Sequence, residues 1–247
     1  MADLREWLNM SGALQAVFQN QRSFAAPPGQ QAYTTAGTFS WVAPSGVTSV
    51  SVVTVGSSGG TANAQKGGAL SYKNNITVIP GNTYTVVVPS PANSGTRASF
   101  DGNATVSASF YNNRTGDGGG DGADNYGGGA GGYSGNAGVP NDAAPAGGGA
   151  SSGYAAAGGG GGVGLLGQGT SGAAPTTNGS NWGNGFGGSG GTDGSESPDR
   201  ISPGNGGTYG GGGGNTGFSV GTGTGGAVRI IWPGNTRSFP STNTGNL

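Results

Sequence analysis

Between residues 116 and 226 the chain carries 46 of its 60 glycines. Runs such as Gly158–Gly162 and Gly210–Gly214 offer no side chain to pack, and glycine loses more backbone entropy on folding than any other residue. The tract is therefore not expected to form ordinary helix or strand. It lacks the strict three-residue repeat of collagen. Two outcomes stay open. One is a disordered spacer; the other is a packed array of polyproline-II-like segments whose bare backbones approach closely and satisfy one another's N–H and C=O groups. Order is favoured by rings interleaved through the tract (Tyr126, Tyr133, Tyr154, Trp182, Phe186, Tyr209 and Phe218), since a flexible linker is built of Gly and Ser without large side chains. Pro140, Pro145, Pro175, Pro198 and Pro203 stand where the chain would turn between segments. A net charge of only −1 also lacks the self-repulsion that keeps a disordered chain expanded.

The stretch before the tract reads differently. Gly37–Ala43 ends at the turn Pro44-Ser45-Gly46, and Val47–Val55 is rich in β-branched residues, so both are predicted strands. Asn75–Ile79 and Thr83–Val88 flank Pro80-Gly81-Asn82, which suggests a hairpin. Arg97–Phe100 and Ala104–Tyr111 flank Asp101-Gly102-Asn103, a second hairpin signal. Short strands at this spacing predict a small antiparallel β-sandwich. Residues 227–232 (AVRIIW) read as one strand, and a lone strand is unstable, so it should rejoin that sandwich. Trp41 and Trp232 are expected in the core. The fold expected is mainly β: a sandwich with a glycine-rich polyproline-II-like array, preceded by a short N-terminal helix. The boundaries expected are 1–30 for helix and linker, 31–115 for the sandwich, 116–226 for the array and 227–247 for the closing strand and polar tail.

The helix is read from Leu4, Trp7, Leu8, Leu14, Val17 and Phe18, which fall on one stripe, with Asp3 and Glu6 at capping-box spacing. It either packs on its own domain or docks on a partner. Docking through Leu4, Trp7, Leu8, Leu14 and Phe18 is favoured, because the linker Ala25-Ala26-Pro27-Pro28-Gly29 separates the stripe from the strands. Residues 1–26 lack an apolar leader core, and no apolar run reaches membrane-spanning length, so a soluble product of a cytoplasm is expected.

Chemistry is narrowed by what is missing. The chain has no His and no Cys, which removes imidazole bases, thiolate nucleophiles and zinc ligands of those types. Nine Lys+Arg against ten Asp+Glu give no basic surface for nucleic acid. Asp117, Asp121, Asp124 and Asn125 fit no calcium-loop spacing, and Asp193, Glu196 and Asp199 lie in a turn with no apolar surroundings to raise a carboxyl pKa. The GxGxxG patterns arise from composition, and none is followed by the strand–helix context of a dinucleotide site. Neither an enzyme, a metal site nor a cofactor is expected. Rings at loop tips bind sugars or apolar surface at little rotamer cost, and packing between segments is the competing use of each. Trp182 and Phe186 come first as receptor-binding candidates, followed by Tyr154, Tyr133 and Tyr209.

The order GTFSWVAPSGVTSVSVVTVG (37–56), LSYKNNITVIPGNTYTVVV (70–88), glycine tract, GGAVRIIWPGNTRSFPSTNTG (225–245) resembles the glycine-rich terminal domain of bacteriophage tail fibres. In composition the tract is similar to the T-even adhesin at the long-tail-fibre tip. The resemblance covers residues 37–245 and implies a virion protein made in the host cytoplasm. Such a protein would bind tail or baseplate proteins at one end and a host polysaccharide or outer-membrane protein at the other, with homo-oligomerisation open. A purely structural fibre or baseplate role is the alternative.

Overall fold

The computed structural model describes residues 26–59, 66–91, 95–124, 127–137, 147–149, 158–173, 183–199, 201–241 and 244–246. The expected helix, with Leu4, Trp7, Leu8, Leu14 and Phe18, lies outside them. Among the described residues the protein is mainly β, with two antiparallel five-stranded sheets stacked as a sandwich.

The first sheet has the order β1 (Gly29–Tyr33), β10 (Ala227–Trp232), β3 (Ser49–Val55), β4 (Leu70–Thr77), β9 (Gly118–Gly120). The second has the order β2 (Gly37–Val42), β5 (Thr83–Val88), β6 (Ala98–Phe100), β7 (Val106–Ala108), β8 (Arg114–Thr115). Between the sheets, Val50, Val52, Val228 and Ile230 meet Trp41, Val86, Phe100 and Val106, all buried. Trp41 is 2% exposed, and Trp232 is partly buried against the same cluster.

The glycine tract covers the outer face of the first sheet. Val53, Val55, Leu70, Ala227 and Ile231 form a second core with Ala130, Tyr133, Val163, Leu165 and Phe239. The first sheet is thus buried on both faces, which explains why β3 and β10 carry apolar residues for both cores, Val52 and Ile230 on one side and Val53 and Ile231 on the other, without strict alternation.

Within the tract, residues 158–164 are hydrogen-bonded to segments on every side, through Ala130, Gly149, Gly188, Ser195, Gly207 and Gly212. The bonds repeat at a spacing of three residues. Gly159 and Gly162 donate to Ser195 and Thr192; Gly185 and Gly188 donate to Gly159 and Gly162. Gly211 and Gly214 donate to Gly207 and Gly204 in the same way. The described part of the tract is therefore tied together by backbone bonds.

Three sequence expectations need correction. Pro80-Gly81-Asn82 turns the chain, but no hairpin forms: β4 belongs to the first sheet and β5 to the second. The turn instead bonds to Ala43, whose amide donates to the Asn82 carbonyl while its carbonyl accepts from Gly81. That partner is remote in sequence, so turn chemistry alone cannot tell a hairpin from a crossing between sheets. Secondly, Gly29–Tyr33, expected to include linker, is an edge strand paired along its length with β10. Thirdly, Gly118–Gly120 is a strand despite three consecutive glycines, because β4 supplies the ladder and the Tyr72 ring lies against Gly118. The tail after Pro233 is rich in turns, as expected, and it is anchored. Phe239 is buried against Tyr72 and Tyr133, and the buried Thr244 hydroxyl donates to the Leu166 carbonyl at 2.7 Å. The second hairpin, β6 to β7 around residues 101–103, forms where expected.

Candidate functional site

The rings proposed for binding separate into different environments. Tyr133 is 1% exposed, so it is a packing residue and is withdrawn as a binding candidate. Its ring stacks on Phe239, and its hydroxyl donates to the Gly164 carbonyl at 3.1 Å while accepting from the Gly167 amide at 3.3 Å. Tyr209 is half-buried against the second core, and its backbone exchanges bonds with Val163. Tyr154 and Trp182 lie outside the described residues. Phe186 alone of the five is described and open, at 43% exposure.

Burial pushes the Tyr133 hydroxyl far above the ordinary tyrosine range. A pKa raised in the folded state stabilises fully below the unfolded value near pH 10, and that contribution is lost as pH rises beyond it. The guanidinium of buried Arg229, lowered to about 10 by burial, acts in the opposite sense over the same range. The separable signal is spectroscopic. Tyrosinate absorbance of the native chain, titrated upward from neutral pH, should be the same for Tyr133→Phe as for the parent until unfolding begins. A missing tyrosine amplitude near pH 10 in the variant would contradict this burial.

Phe186 is fixed by its backbone. Its amide donates to the Ala173 carbonyl at 3.0 Å, and its carbonyl accepts from Gly149 at 2.9 Å. The next amide, Gly187, donates to the Asp193 carboxylate at 2.7 Å. An exposed ring and an exposed carboxylate thus lie side by side on two hydrogen-bonded segments.

A second pairing of this kind went unassigned at the sequence level. Residues 215–220 form a tight turn closed by a bridge between Asn215 and Val220. The Asn215 Oδ1 accepts from the Gly217 amide at 2.6 Å, and Thr216 Oγ1 accepts from the Ser219 amide at 3.1 Å. Gly217 sits at φ +84°, a conformation that costs little only without a Cβ. The turn lifts Phe218 into solvent at 86% exposure. Ser219 Oγ donates to the Ile201 carbonyl at 2.7 Å, which ties this turn to the loop carrying Ile201, itself 68% exposed. That second loop is braced by Asp199, whose carboxylate accepts from the Ile201 amide at 2.7 Å and the Ser202 amide at 2.5 Å. These bonds hold the Asp199 carboxyl below the usual range, the opposite of what a general acid requires.

Phe218 was legible as a ring but not as a tip. The signal that marks it is the Asn215-Thr216-Gly217 turn, where two side chains cap the backbone just ahead of the aromatic residue.

The other acids are dispersed. Asp117 accepts from the Asn74 amide at 2.9 Å, Asp121 pairs with Arg114 at 2.8 Å, and Asp124 pairs with Lys66. Among the described residues no group of three or more potential metal ligands of the His, Cys, Asp or Glu type converges. The candidate site is a set of exposed apolar side chains beside the Asp193 and Asp199 carboxylates. A scan against models of known protein families finds no match to this chain. A search of curated proteins likewise finds no match.

Proposed function

We propose that the chain is a bacteriophage tail-fibre or baseplate-associated adhesin, attached through its N-terminal residues and recognising the host surface without covalent chemistry. The observation that carries the reading is where large apolar side chains are exposed. In the glycine tract Ile201 and Phe218 stand on turns and Phe186 and Leu166 are also open, while Tyr133, Tyr209, Val163 and Leu165 are half-buried or buried. Binding loops held by a rigid scaffold have this arrangement. The segments of that scaffold are polyproline-II-like. A three-residue recurrence of hydrogen-bond direction supports this, because that helix has three residues per turn. The expected order of motifs along the chain supports the phage assignment, and several copies per particle would add avidity.

Adsorption of labelled protein to host cells tests the reading. Phe186→Ala and Trp182→Ala should weaken adsorption and leave the melting temperature nearly unchanged. A ring buried in the core would instead cost about 3–5 kcal/mol of stability on truncation. No adsorption by the parent chain, together with label located inside the baseplate, would assign the structural role.

A further inference from the structure

We propose that the partner of the Ile201–Phe218 tip is a protein surface, an apolar depression bordered by lysine or arginine. The proposal rests on the adhesin reading and names the chemistry of its receptor. Three observations favour a protein over a glycan or a lipid headgroup.

The first is the preorganised apolar knob. Phe218 and Ile201 are exposed on two turns locked to each other by the Ser219–Ile201 bond, so little ordering remains to be done on binding. A phenyl ring held out in this way gains most by entering a dry socket.

The second is that the hydroxyls and the amide oxygen of the tip are already committed. Asn215 Oδ1, Thr216 Oγ1 and Ser219 Oγ all bond within or between the two turns. The Ser202 hydroxyl donates to Asp199 Oδ2 at 3.3 Å, and the Ser197 hydroxyl to the Ser202 carbonyl at 2.8 Å. A saccharide site needs free donors and acceptors placed around its ring to meet the sugar hydroxyls. Here they are spent on holding the loops.

The third is charge. Asp193, Glu196 and Asp199 are exposed along the same stretch as Ile201, and only Arg200 offsets them in sequence. Asp121 and Asp124 are paired with Arg114 and Lys66, so the field at the tip is set by the Asp193, Glu196 and Asp199 carboxylates. That field repels phosphate, sulfate and uronate groups and attracts a cationic rim.

The test uses labelled full-length chain on three preparations of host cells: untreated, surface-shaved with protease, and treated with periodate to destroy glycans. Binding should survive periodate and be lost after proteolysis. Phe218→Ser should weaken binding to untreated cells by about ten-fold or more, the loss that forgoing burial of one phenyl ring implies. Glu196→Gln combined with Asp199→Asn should flatten the salt dependence, since Asn at 199 keeps an oxygen to cap the Ile201 and Ser202 amides. Binding lost to periodate but resistant to proteolysis overturns this proposal and leaves the adhesin reading standing. So does protease-sensitive binding that is indifferent to Phe218→Ser. No binding to untreated cells removes both.

Discussion

Replacing Gly161 with alanine is expected to lower the melting temperature by about 6–12 °C, the shift that a loss of ~3 kcal/mol produces in a chain of this size. Gly161 lies in the segment at the centre of the array, where its amide donates to Gly149 and its carbonyl accepts from Ala130. A Cβ there would stand 2.1 Å from the Phe186 carbonyl oxygen and 2.4 Å from its carbon. Both atoms are backbone, so no side chain can rotate aside, and moving them strains the bond from Gly149 to Phe186. Overpacking in a side-chain core is relieved by rotamer changes; here relief requires the segments to separate. Gly225→Ala is the control. Its Cβ would meet nothing nearer than the Pro89 carbonyl oxygen at 3.3 Å, so its effect should stay under about 1 kcal/mol. Calorimetry reads the difference, and limited proteolysis should show new cuts within residues 116–226 of the Gly161 variant only. Equal melting temperatures for the two variants would mean that the segments are not packed backbone to backbone.

The second large effect is expected at Arg229. This side chain is 2% exposed and has no acidic partner among the described residues. Its guanidinium donates to the Leu165 carbonyl at 2.9 Å, the Gly245 carbonyl at 3.2 Å and the Gln30 side chain. Arg237 reaches the same Gly245 carbonyl at 2.9 Å and the Gly29 carbonyl at 2.6 Å. Together the two forks join the edge strand β1, the closing strand, the glycine tract and the tail. Arg229→Met keeps much of the volume but strips the buried Leu165 carbonyl and the half-buried Gln30 oxygen of their donor, while Gly245 keeps its bond from Arg237. At about 1–3 kcal/mol for each stripped oxygen, a total near 3 kcal/mol is expected. Arg229→Lys should recover only part of this, because an ammonium cannot fork to several carbonyls at once. Chemical denaturation of the three chains measures it. A Met variant as stable as the parent would show that the bonds contribute little net stability once burial of the cation is removed as well.

How far these features could be read in advance depended on whether their partners were local. The strands Gly37–Val42, Ser49–Val55 and Ala227–Trp232 announce themselves through β-branched and aromatic residues, and the β6–β7 hairpin through its Asp-Gly-Asn turn. The return of the closing strand followed from the instability of a lone strand. Gly29–Tyr33 and Gly118–Gly120 gave no such signal, since each is a strand only because a neighbour offers its ladder. Tyr133 and Phe218 occur in the same glycine-rich context, yet one is 1% and the other 86% exposed. The Asn215-Thr216-Gly217 turn is a local mark of Phe218, but the burial of Tyr133 is set only by the position of its segment against the first sheet.

The sequence by itself determined that this chain folds without His or Cys chemistry and around β-branched strands, and it favoured order over a disordered spacer in the glycine tract. Those conclusions rest on residue type alone: side-chain bulk, branching and the absence of a Cβ act locally. The tertiary structure decided which face of the first sheet receives the tract, which rings become packing and which become tips, and where a buried arginine finds its acceptors. These depend on contacts across long sequence separations, such as Arg229 with Leu165 or Ser219 with Ile201. Polar groups must find partners when buried, but which distant partner they find is set only when the layers close.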